Sequence, residues 1–390
     1  MPCADLTSPG RERTGLYLHV PFCLRKCPYC GFFSQADEPA LHRGFLEAVA
    51  RQAAWFRKSG LAEGCRVDTV FVGGGTPSLL PPPLLTELLD LLRDAFPLSG
   101  REIEFSVEVN PATLRPETME ALRRGGCNRL SIGVQSFADE ELRAIGRPHT
   151  AADGVRAVRA ARTAGFTNCS LDLMYGLPGQ TVKSWEQTLA TALGLALNHL
   201  AIYELTIEEG TPFSEAREQG KLALPSEEEV VAMMETTERM TVAAGFVRYE
   251  ISNYARPGRE CRHNCNYWHN GWYVGLGPGA VSCLDGWRVG AVPDVREFQR
   301  RLVAGRDWWS WEERLEGVER FRETVVMGLR MSEGISLSGL GKRFGLDLRE
   351  YYGPTLERLV SRGMVEISGD RLRLTSAGMR LANPVMAELV

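Results

Sequence analysis

Short runs of β-branched and other apolar residues alternate with amphipathic stretches over the first 245 residues of the chain. The runs at 16–20, 69–72, 103–109, 129–134, 170–174 and 201–205 have the length and composition of buried strands. Each is followed by a stretch with helical spacing of its apolar residues, at 41–58, 83–95, 117–124, 152–164, 182–196 and 227–244. Six β–α units in series predict an α/β fold with parallel strands, either an open doubly wound sheet or an incomplete barrel.

This pattern changes after residue 245. Helical periodicity fades over 246–311, where six of the eight tryptophans lie. Two helical stretches follow at 336–344 and 350–362, and then two short alternating runs at 364–367 and 371–374, which are typical of a winged-helix-like module. We therefore predict a flexible tail (1–14), an α/β core (15–245), a Trp-rich connecting region (246–311) and a C-terminal α+β winged-helix-like domain (312–390).

Composition and charge narrow the classes of protein. Hydrophobic residues make up 44% of the chain, charged residues 24%, and the net charge is −4, as in ordinary globular proteins. No apolar run approaches the roughly 18 residues of a membrane span, and residues 1–14 lack the apolar stretch of a secretory signal, so we expect a cytoplasmic protein. Residues 312–390 contain 12 basic and 12 acidic residues. A DNA reader needs a basic excess, so no nucleic-acid partner is expected.

Three of the ten cysteines form a close group after the first predicted strand, Cys23-Leu-Arg-Lys-Cys27-Pro-Tyr-Cys30. Thiols stay reduced in the cytoplasm, so such a group indicates metal ligands. A cubane cluster has four irons and is usually held by four cysteines. Three thiolates therefore leave one iron open to a substrate or cofactor. A zinc site with His19 as the fourth ligand is the alternative, but the CxxxCxxC spacing favours a 4Fe-4S cluster.

A glycine-rich loop and a series of polar residues follow the next strands. Gly73-Gly74-Gly75-Thr76-Pro77-Ser78 comes directly after the second strand, where glycines let the backbone approach a ligand or simply form a tight turn. Polar side chains then occur at or just after the later strands, at Glu108, Gln135, Arg147 and Asp172. The carboxyl ends of parallel strands share one rim. We therefore expect these side chains to converge there, with the Arg147 guanidinium suited to a carboxylate.

The segment Tyr17-Leu-His-Val-Pro-Phe-Cys23 running into CxxxCxxC resembles the radical SAM superfamily, and specifically its oxygen-independent coproporphyrinogen III oxidase-like branch, the HemN/HemW family. The resemblance implies an incomplete TIM-like (β/α)6 barrel with a C-terminal domain of the HemN type. It implies that Cys23, Cys27 and Cys30 hold a 4Fe-4S cluster whose open iron binds S-adenosylmethionine. In that superfamily, reduction of the cluster cleaves this cofactor to a 5′-deoxyadenosyl radical. The positions similar to the family's S-adenosylmethionine contacts are Tyr17, Tyr29, Gly74, Gly75, Thr76, Glu108, Gln135, Arg147 and Asp172.

One position separates two groups within this family. The coproporphyrinogen-decarboxylating members resemble one another in carrying a further cysteine two residues after the third, whereas this chain has Phe32 there. The segment before the cluster motif is also shorter than theirs. Both features are similar to the HemW-type haem chaperones, for which the resemblance implies that haem is held and passed to haem-requiring partners such as respiratory-chain components.

A second motif lies in the Trp-rich region. The segment Cys261-Arg-His-Asn-Cys-Asn-Tyr-Trp268 contains the HemW-like arrangement HNxxYW. The resemblance implies haem contacts, and imidazole and aromatic groups suit haem iron and the faces of the macrocycle. The residues concerned are His263, Asn264, Tyr267 and Trp268. The alternative is that His263 is hydrogen-bonded in a loop and that the tryptophans pack two domains together. Cys261 and Cys265 repeat the CxxxC spacing, but no third cysteine lies nearby except Cys283, so a second cluster is not expected.

Two functions from different classes remain open. The first is a carrier that binds a 4Fe-4S cluster, S-adenosylmethionine and haem and delivers haem to acceptor proteins, with peripheral contact to membrane partners where the acceptors are respiratory. The second is an enzyme that decarboxylates coproporphyrinogen III in porphyrin biosynthesis, or another radical SAM enzyme such as a methyltransferase. Phe32 favours the carrier, and no catalytic residue is assigned for the enzyme.

Overall fold

The computed structural model describes residues 13–98 and 103–390. The predicted tail lies outside the described residues as far as residue 12, and the first strand begins at Thr14. The elements of the predicted core are β1 (Thr14–Val20), β2 (Phe22–Cys23), β3 (Gln35–Ala36), α1 (His42–Ser59), β4 (Val67–Gly74), α2 (Pro82–Ala95), β5 (Glu104–Val109), α3 (Pro116–Arg124), β6 (Arg129–Gln135), α4 (Asp139–Ala144), α5 (Ala151–Thr163), β7 (Asn168–Tyr175), α6 (Val182–Gly194), β8 (His199–Glu204), α7 (Pro212–Glu218) and α8 (Glu227–Ala243).

Six parallel strands form the centre of the molecule. β1, β4, β5, β6, β7 and β8 pair side by side in chain order, and helices connect them, as β–α crossovers require. Their apolar side chains, such as Leu16, Val72 and Leu171, are fully buried beneath the helices. The sheet has two edge strands, and no pairing between them is recorded in the described part of the chain. The predicted incomplete (β/α)6 barrel is confirmed.

Residues 246–311 extend this sheet at both edges. They form β9 (Val247–Arg248), β10 (Asn253–Ala255), α9 (Arg262–Trp268), β11 (Trp272–Leu276), β12 (Val281–Leu284), β13 (Trp287–Ala291), α10 (Val295–Val303) and β14 (Trp309–Arg314). β10 pairs antiparallel with β8, and β11 pairs parallel with β1, so the whole sheet has twelve strands. These strands are short, which is why the sequence shows no clear period here. Trp308 is buried against Trp55 and Phe56 of α1 and belongs to the barrel core.

The C-terminal residues form a separate apolar core. Its elements are α11 (Gly317–Gly328), β15 (Ile335–Ser336), α12 (Leu337–Phe344), α13 (Leu348–Ser361), β16 (Val365–Ser368), β17 (Arg371–Leu374), α14 (Ser376–Arg380) and α15 (Ala382–Ala387). α13 is broken at Gly353, whose φ is 39°, just before Pro354. The strands pair in the order β15-β17-β16, and the predicted winged-helix-like arrangement is confirmed. The four domain boundaries remain our proposal. Among the described residues, no helix is long and apolar enough to cross a membrane.

Candidate functional site

The three close cysteines lie in a loop at the C-terminal end of β1. β2 and β3 pair in parallel, Cys23 opposite Ala36, and so tie the two ends of this loop together. Two donors reach the sulfur atoms: the Thr76 hydroxyl lies 3.8 Å from Cys23 Sγ, and the Arg147 guanidinium lies 3.7 Å from Cys27 Sγ. Both donors stabilise thiolate charge. Their positions fit thiolates that bind iron.

No three His, Cys, Asp or Glu side chains converge on a single ion position within residues 13–98 and 103–390. A cubane cluster does not require that convergence, because each thiolate binds a different iron. Burial raises the pKa of the Cys23 and Cys30 thiols, whereas iron binds the thiolate form. The donors from Thr76 and Arg147 offset part of this cost.

The glycine-rich loop packs against β1 and the cysteine loop. Gly74 has a φ of 106°, and a side chain there would meet the His19 ring at 2.5 Å. A side chain at Gly75 would meet the carbonyl oxygen of Phe22 at 2.6 Å. The amides of Gly74, Gly75 and Thr76 all donate within the protein, to Glu108 Oε2 at 3.0 Å, to the Val20 carbonyl and to the Phe22 carbonyl. The glycines therefore permit close packing of the loop on the strand ends.

Four polar side chains gather beside this loop at the strand ends, as expected. Asp172 accepts a hydrogen bond from Ser131 at 2.9 Å. Burial, followed by the charge of Asp172, raises the pKa of Glu108 to about 8, so Glu108 holds its proton at neutral pH. Gln135 has a left-handed φ of 74° where β6 and β7 pair irregularly. Arg147 donates to the Gly133 carbonyl, and its Nε is buried without a hydrogen-bond partner.

Two tyrosines of the predicted site have different surroundings. Tyr17 on β1 donates to His19 Nδ1 at 2.9 Å, because His19 Nε2 is committed as a donor to the Phe33 carbonyl at 2.7 Å. Tyr29 beside the third cysteine packs on Phe213 of α7, with ring centroids 6.3 Å apart. Tyr17 thus links the barrel interior to the cysteine loop, and Tyr29 anchors that loop to α7.

The HNxxYW motif forms α9 at the opposite end of the barrel. His263 Nδ1 lies 2.9 Å from Thr69 Oγ1, and its Nε2 lies 3.0 Å from the Tyr267 hydroxyl. Glu104 accepts from the backbone amides of Arg262 and His263, each at 3.0 Å. Thr69 and Glu104 lie near the N-terminal ends of β4 and β5, so α9 closes the end of the barrel away from the cysteine loop. Burial lowers the pKa of His263 to about 3, and the ring is neutral.

A polar cavity of 170 Å³ inside the barrel connects these two ends. Tyr17, Glu108 and Asp172 line it from the rim, and His263, Asn264 and Tyr267 line it from α9. Trp268 does not belong to this cavity. It lines a second one of 50 Å³ against the C-terminal domain, and the Arg330 guanidinium stacks over its ring at 4.3 Å.

The other cysteines within residues 13–98 and 103–390 are buried apart from the cysteine loop. Cys261 Sγ donates to Glu104 at 3.5 Å, and burial raises the pKa of the Cys261 thiol to about 12. Cys265 and Cys283 are also buried. Burial also raises the pKa of the Cys283 thiol, and no second metal group occurs in the described part of the chain.

Sequence analysis missed several polar residues that face the interior: Glu104, Ser106, Arg129, Ser131, Ser170 and His199. A pattern could have revealed them. In β5 and β6 the polar residues occupy every second position, at Glu104, Ser106 and Glu108 and again at Arg129 and Ser131. Alternate positions of a strand share one face, so polar residues at that period in a buried strand indicate a polar barrel interior.

Comparison with known proteins agrees with this architecture. Residues 17–192 match the radical SAM superfamily, and residues 315–381 match the HemN C-terminal domain. The heme chaperone HemW of Bacillus subtilis is 35% identical over 370 residues, which cover 95% of this chain and 97% of that protein. The heme chaperone HemW of Escherichia coli is 34% identical over 380 residues, covering 95% and 96%. The chain belongs to the HemN/HemW family of radical SAM proteins, and the resemblance is confirmed.

A solved structure supports the fold. Coproporphyrinogen III oxidase (HemN) from Escherichia coli, described as a radical SAM enzyme, superposes with a TM-score of 0.84 at 23% identity, covering 98% of this chain and 91% of that one. At this identity the match establishes the fold alone. Membership of the radical SAM superfamily itself implies a 4Fe-4S cluster and S-adenosylmethionine as cofactors.

Proposed function

We propose that this protein is a haem chaperone-like radical SAM protein of the cytoplasm. It holds a 4Fe-4S cluster, S-adenosylmethionine and haem, and it delivers haem to acceptor proteins, with respiratory components and their membrane assemblies as the partner class. The observation that carries the proposal is similarity over nearly the full length to relatives named heme chaperone. Phe32 agrees with it, because its side chain is 69% exposed beside the cysteine loop and offers no metal-binding atom.

The cofactor end of the barrel supports the first part of this function. We assign the cluster to Cys23, Cys27 and Cys30, with Thr76 and Arg147 donating to two of the sulfurs. When bound there, a reduced cluster would supply reducing power toward the sulfonium of S-adenosylmethionine. Asp172 offers a carboxylate to cofactor hydroxyl or ammonium groups, and the proton on Glu108 limits repulsion between the two acids.

The haem contacts are a separate part of the proposal. Both ring nitrogens of His263 are hydrogen-bonded, and the cavities at His263 and Trp268 measure 170 and 50 Å³. Pockets for ligands of drug size or larger measure about 300–1,000 Å³. Coordination of haem iron by one ring nitrogen of His263 therefore requires the hydrogen bond to Thr69 or the one to Tyr267 to break, and more space to open beside α9.

Anaerobic reconstitution of the full chain tests the function. Samples containing cluster and S-adenosylmethionine are given either haem or coproporphyrinogen III. If the protein is a haem chaperone, we expect a stable haem spectrum, transfer of haem to an apo-acceptor and no vinyl porphyrinogen. Formation of vinyl porphyrinogen with consumption of S-adenosylmethionine would replace the chaperone with the decarboxylase.

A pair of variants tests the haem ligand. His263→Ala is expected to abolish the haem spectrum, and His269→Ala, at the end of the same helix, is expected to retain it. Iron content and circular dichroism of both variants check that cluster and fold persist. An unchanged haem spectrum in His263→Ala assigns the axial ligand to another residue and leaves the chaperone proposal to the transfer assay.

A further inference from the structure

Arg129 is a buried guanidinium inside the barrel. It begins β6, only 1% of its surface is exposed, and it pairs across the sheet with Ser106 of β5. It comes two residues before Ser131, which pairs with Glu108. Since inward-facing residues alternate along a strand, Arg129 lies one row deeper in the barrel than the residues of the predicted S-adenosylmethionine site.

The Arg129 guanidinium has no direct ion-pair partner among the described residues; burial acts to lower its pKa, and Cys261, Glu104 and Asp172 act from a distance to raise it. Its single hydrogen bond reaches Ser106 Oγ at 3.5 Å, at the limit of such contacts, and its Nε is buried without a partner. It forms no ion pair with any carboxylate of residues 13–98 and 103–390. Glu104, one of the acids whose charge acts on Arg129, accepts hydrogen bonds from the amides of Arg262 and His263 on α9. A guanidinium has five N–H donors, and a buried charge left unpaired is costly.

Other polar groups around the same cavity are also unoccupied. Asn264 of α9 lines it and makes no side-chain hydrogen bond with the described residues. Asn253 lines it as well, but its free atom is the acceptor Oδ1, and its Nδ2 already donates to Glu250. Ser131 and Ser170 are turned to Asp172 and His199. The lining donors with little or no use inside the protein are therefore those of Arg129 and Asn264.

We propose that Arg129 and Asn264 form a binding site for a carboxylate group inside the barrel, below the S-adenosylmethionine site. A guanidinium and a carboxamide both donate to carboxylate oxygens, and an Arg–carboxylate pair takes a bidentate geometry. The cavity of 170 Å³ accepts a short carboxylate and is too small for a macrocycle. The carboxylate therefore belongs either to a free small acid or to the propionate arm of a porphyrin seated at the rim.

Thermal unfolding and calorimetry with sodium propionate test the site on the full chain without haem. We expect saturable binding of propionate, with sodium chloride at equal ionic strength giving no such response. Arg129→Met and Asn264→Ala are expected to weaken binding by at least about tenfold, the loss of one charge-assisted contact. Asn266→Ala is the matched control on α9, because the Asn266 side chain donates to the Trp272 carbonyl instead. It should lower the melting temperature and keep the propionate response.

A second arm of the experiment tests whether the carboxylate belongs to a porphyrin. If the propionate group of a porphyrin occupies the site, haem binds at least about tenfold more tightly than its dimethyl ester, and Arg129→Met removes this difference. This arm depends on the proposed haem function, whereas the propionate arm does not. Should Arg129→Met fail to fold, Arg129→Lys and Asn264→Ala carry both arms. Absence of a propionate response together with equal binding of haem and its ester means a cavity filled only by water, and overturns the proposal.

Discussion

The two ends of the barrel differ in how far their polar groups are hydrogen-bonded within the protein. At the C-terminal rim, Arg147 has a buried nitrogen without a partner, and Glu108 holds a proton that an exposed carboxyl would lose. At the N-terminal end, Glu104 receives three donors and both nitrogens of His263 are bonded. At the rim, Arg147 Nε lacks a partner among the described residues, whereas at the other end the amides of Arg262 and His263 and the His263 ring are hydrogen-bonded within the protein.

This difference changes the meaning of the HNxxYW motif. The motif contains groups that suit haem, yet in this structure it closes the barrel and stabilises its polar interior. Arg129 lies between the two ends. It belongs neither to the predicted cofactor site at the rim nor to the hydrogen bonds that hold α9. Binding at the rim and closure by α9 should therefore respond separately to substitution.

The largest effect is expected at the rim. Cys23→Ala removes one of three thiolates, and we expect loss of the cluster, because two cysteines cannot hold a cubane that already has one open iron. Iron and sulfide content and the visible absorbance after anaerobic reconstitution measure this loss. Cys169→Ala, a buried cysteine elsewhere in the barrel, should retain the cluster. Retention of four irons by Cys23→Ala contradicts the assignment.

A substitution that loosens α9 at the N-terminal end of the barrel should not cause loss of the cluster. Glu104→Ala leaves the amides of Arg262 and His263 without their acceptor, and we expect the free energy of unfolding to fall by about 3–5 kcal/mol. Hydrogen exchange should become faster in α9. Glu87→Ala removes an exposed pair with Arg43 and should cost less than about 1 kcal/mol. If both variants lose the same free energy, α9 is not held by Glu104.

Alanine substitutions at two glycines distinguish the cost of backbone strain from the cost of close packing at the rim. Gly74→Ala introduces a left-handed alanine that also meets the His19 ring, whereas Gly179→Ala introduces one with open space around it. We expect Gly74→Ala to be less stable than Gly179→Ala by about 1–3 kcal/mol, the cost of overpacking. Chemical denaturation of both variants measures this difference, and equal losses would show that the His19 ring moves aside freely.

The two ends should have opposite pH dependence. Glu108 titrates near 8 in the folded protein against 4.5 as its ordinary value, so its contribution to stability is present below pH 4.5 and is lost as pH rises through 8. His263 titrates near 3 against 6.5, so its contribution is present above pH 6.5 and is lost as pH falls toward 3. Where only one of the two groups titrates, we expect the free energy of unfolding to change by about 1.4 kcal/mol per pH unit.

Denaturation at several pH values checks this expectation. Between pH 4.5 and 6.5 the two contributions oppose each other and the stability curve should be level. Glu108→Gln should flatten the decline between pH 6.5 and 8, and His263→Gln should flatten the decline between pH 4.5 and 3. A variant that shifts the whole curve without changing its slope would show that its group does not titrate in that range.

Local patterns in the chain were enough for much of the fold. Apolar runs and amphipathic stretches predicted the six β–α units because a buried parallel strand and a helix packed on it each have a strong period. The spacing of Cys23, Cys27 and Cys30 was enough to predict that they bind a metal cluster. The edge strands of residues 246–311 went unrecognised, because strands as short as Val247–Arg248 carry no period and are held by pairing with distant strands.

The patterns in the sequence determined the six β–α units, the winged-helix-like module and the group of cysteines, since each depends on periods or spacings within one segment, whereas the barrel was implied by the family resemblance. Only the tertiary structure decided where the HNxxYW motif lies and that Trp268 is separated from His263. It alone revealed that Arg129 lies in the interior with no direct ion pair among the described residues. Those facts depend on which residues from distant segments share a cavity, and burial and pairing across the barrel are set by the whole fold rather than by neighbours along the chain.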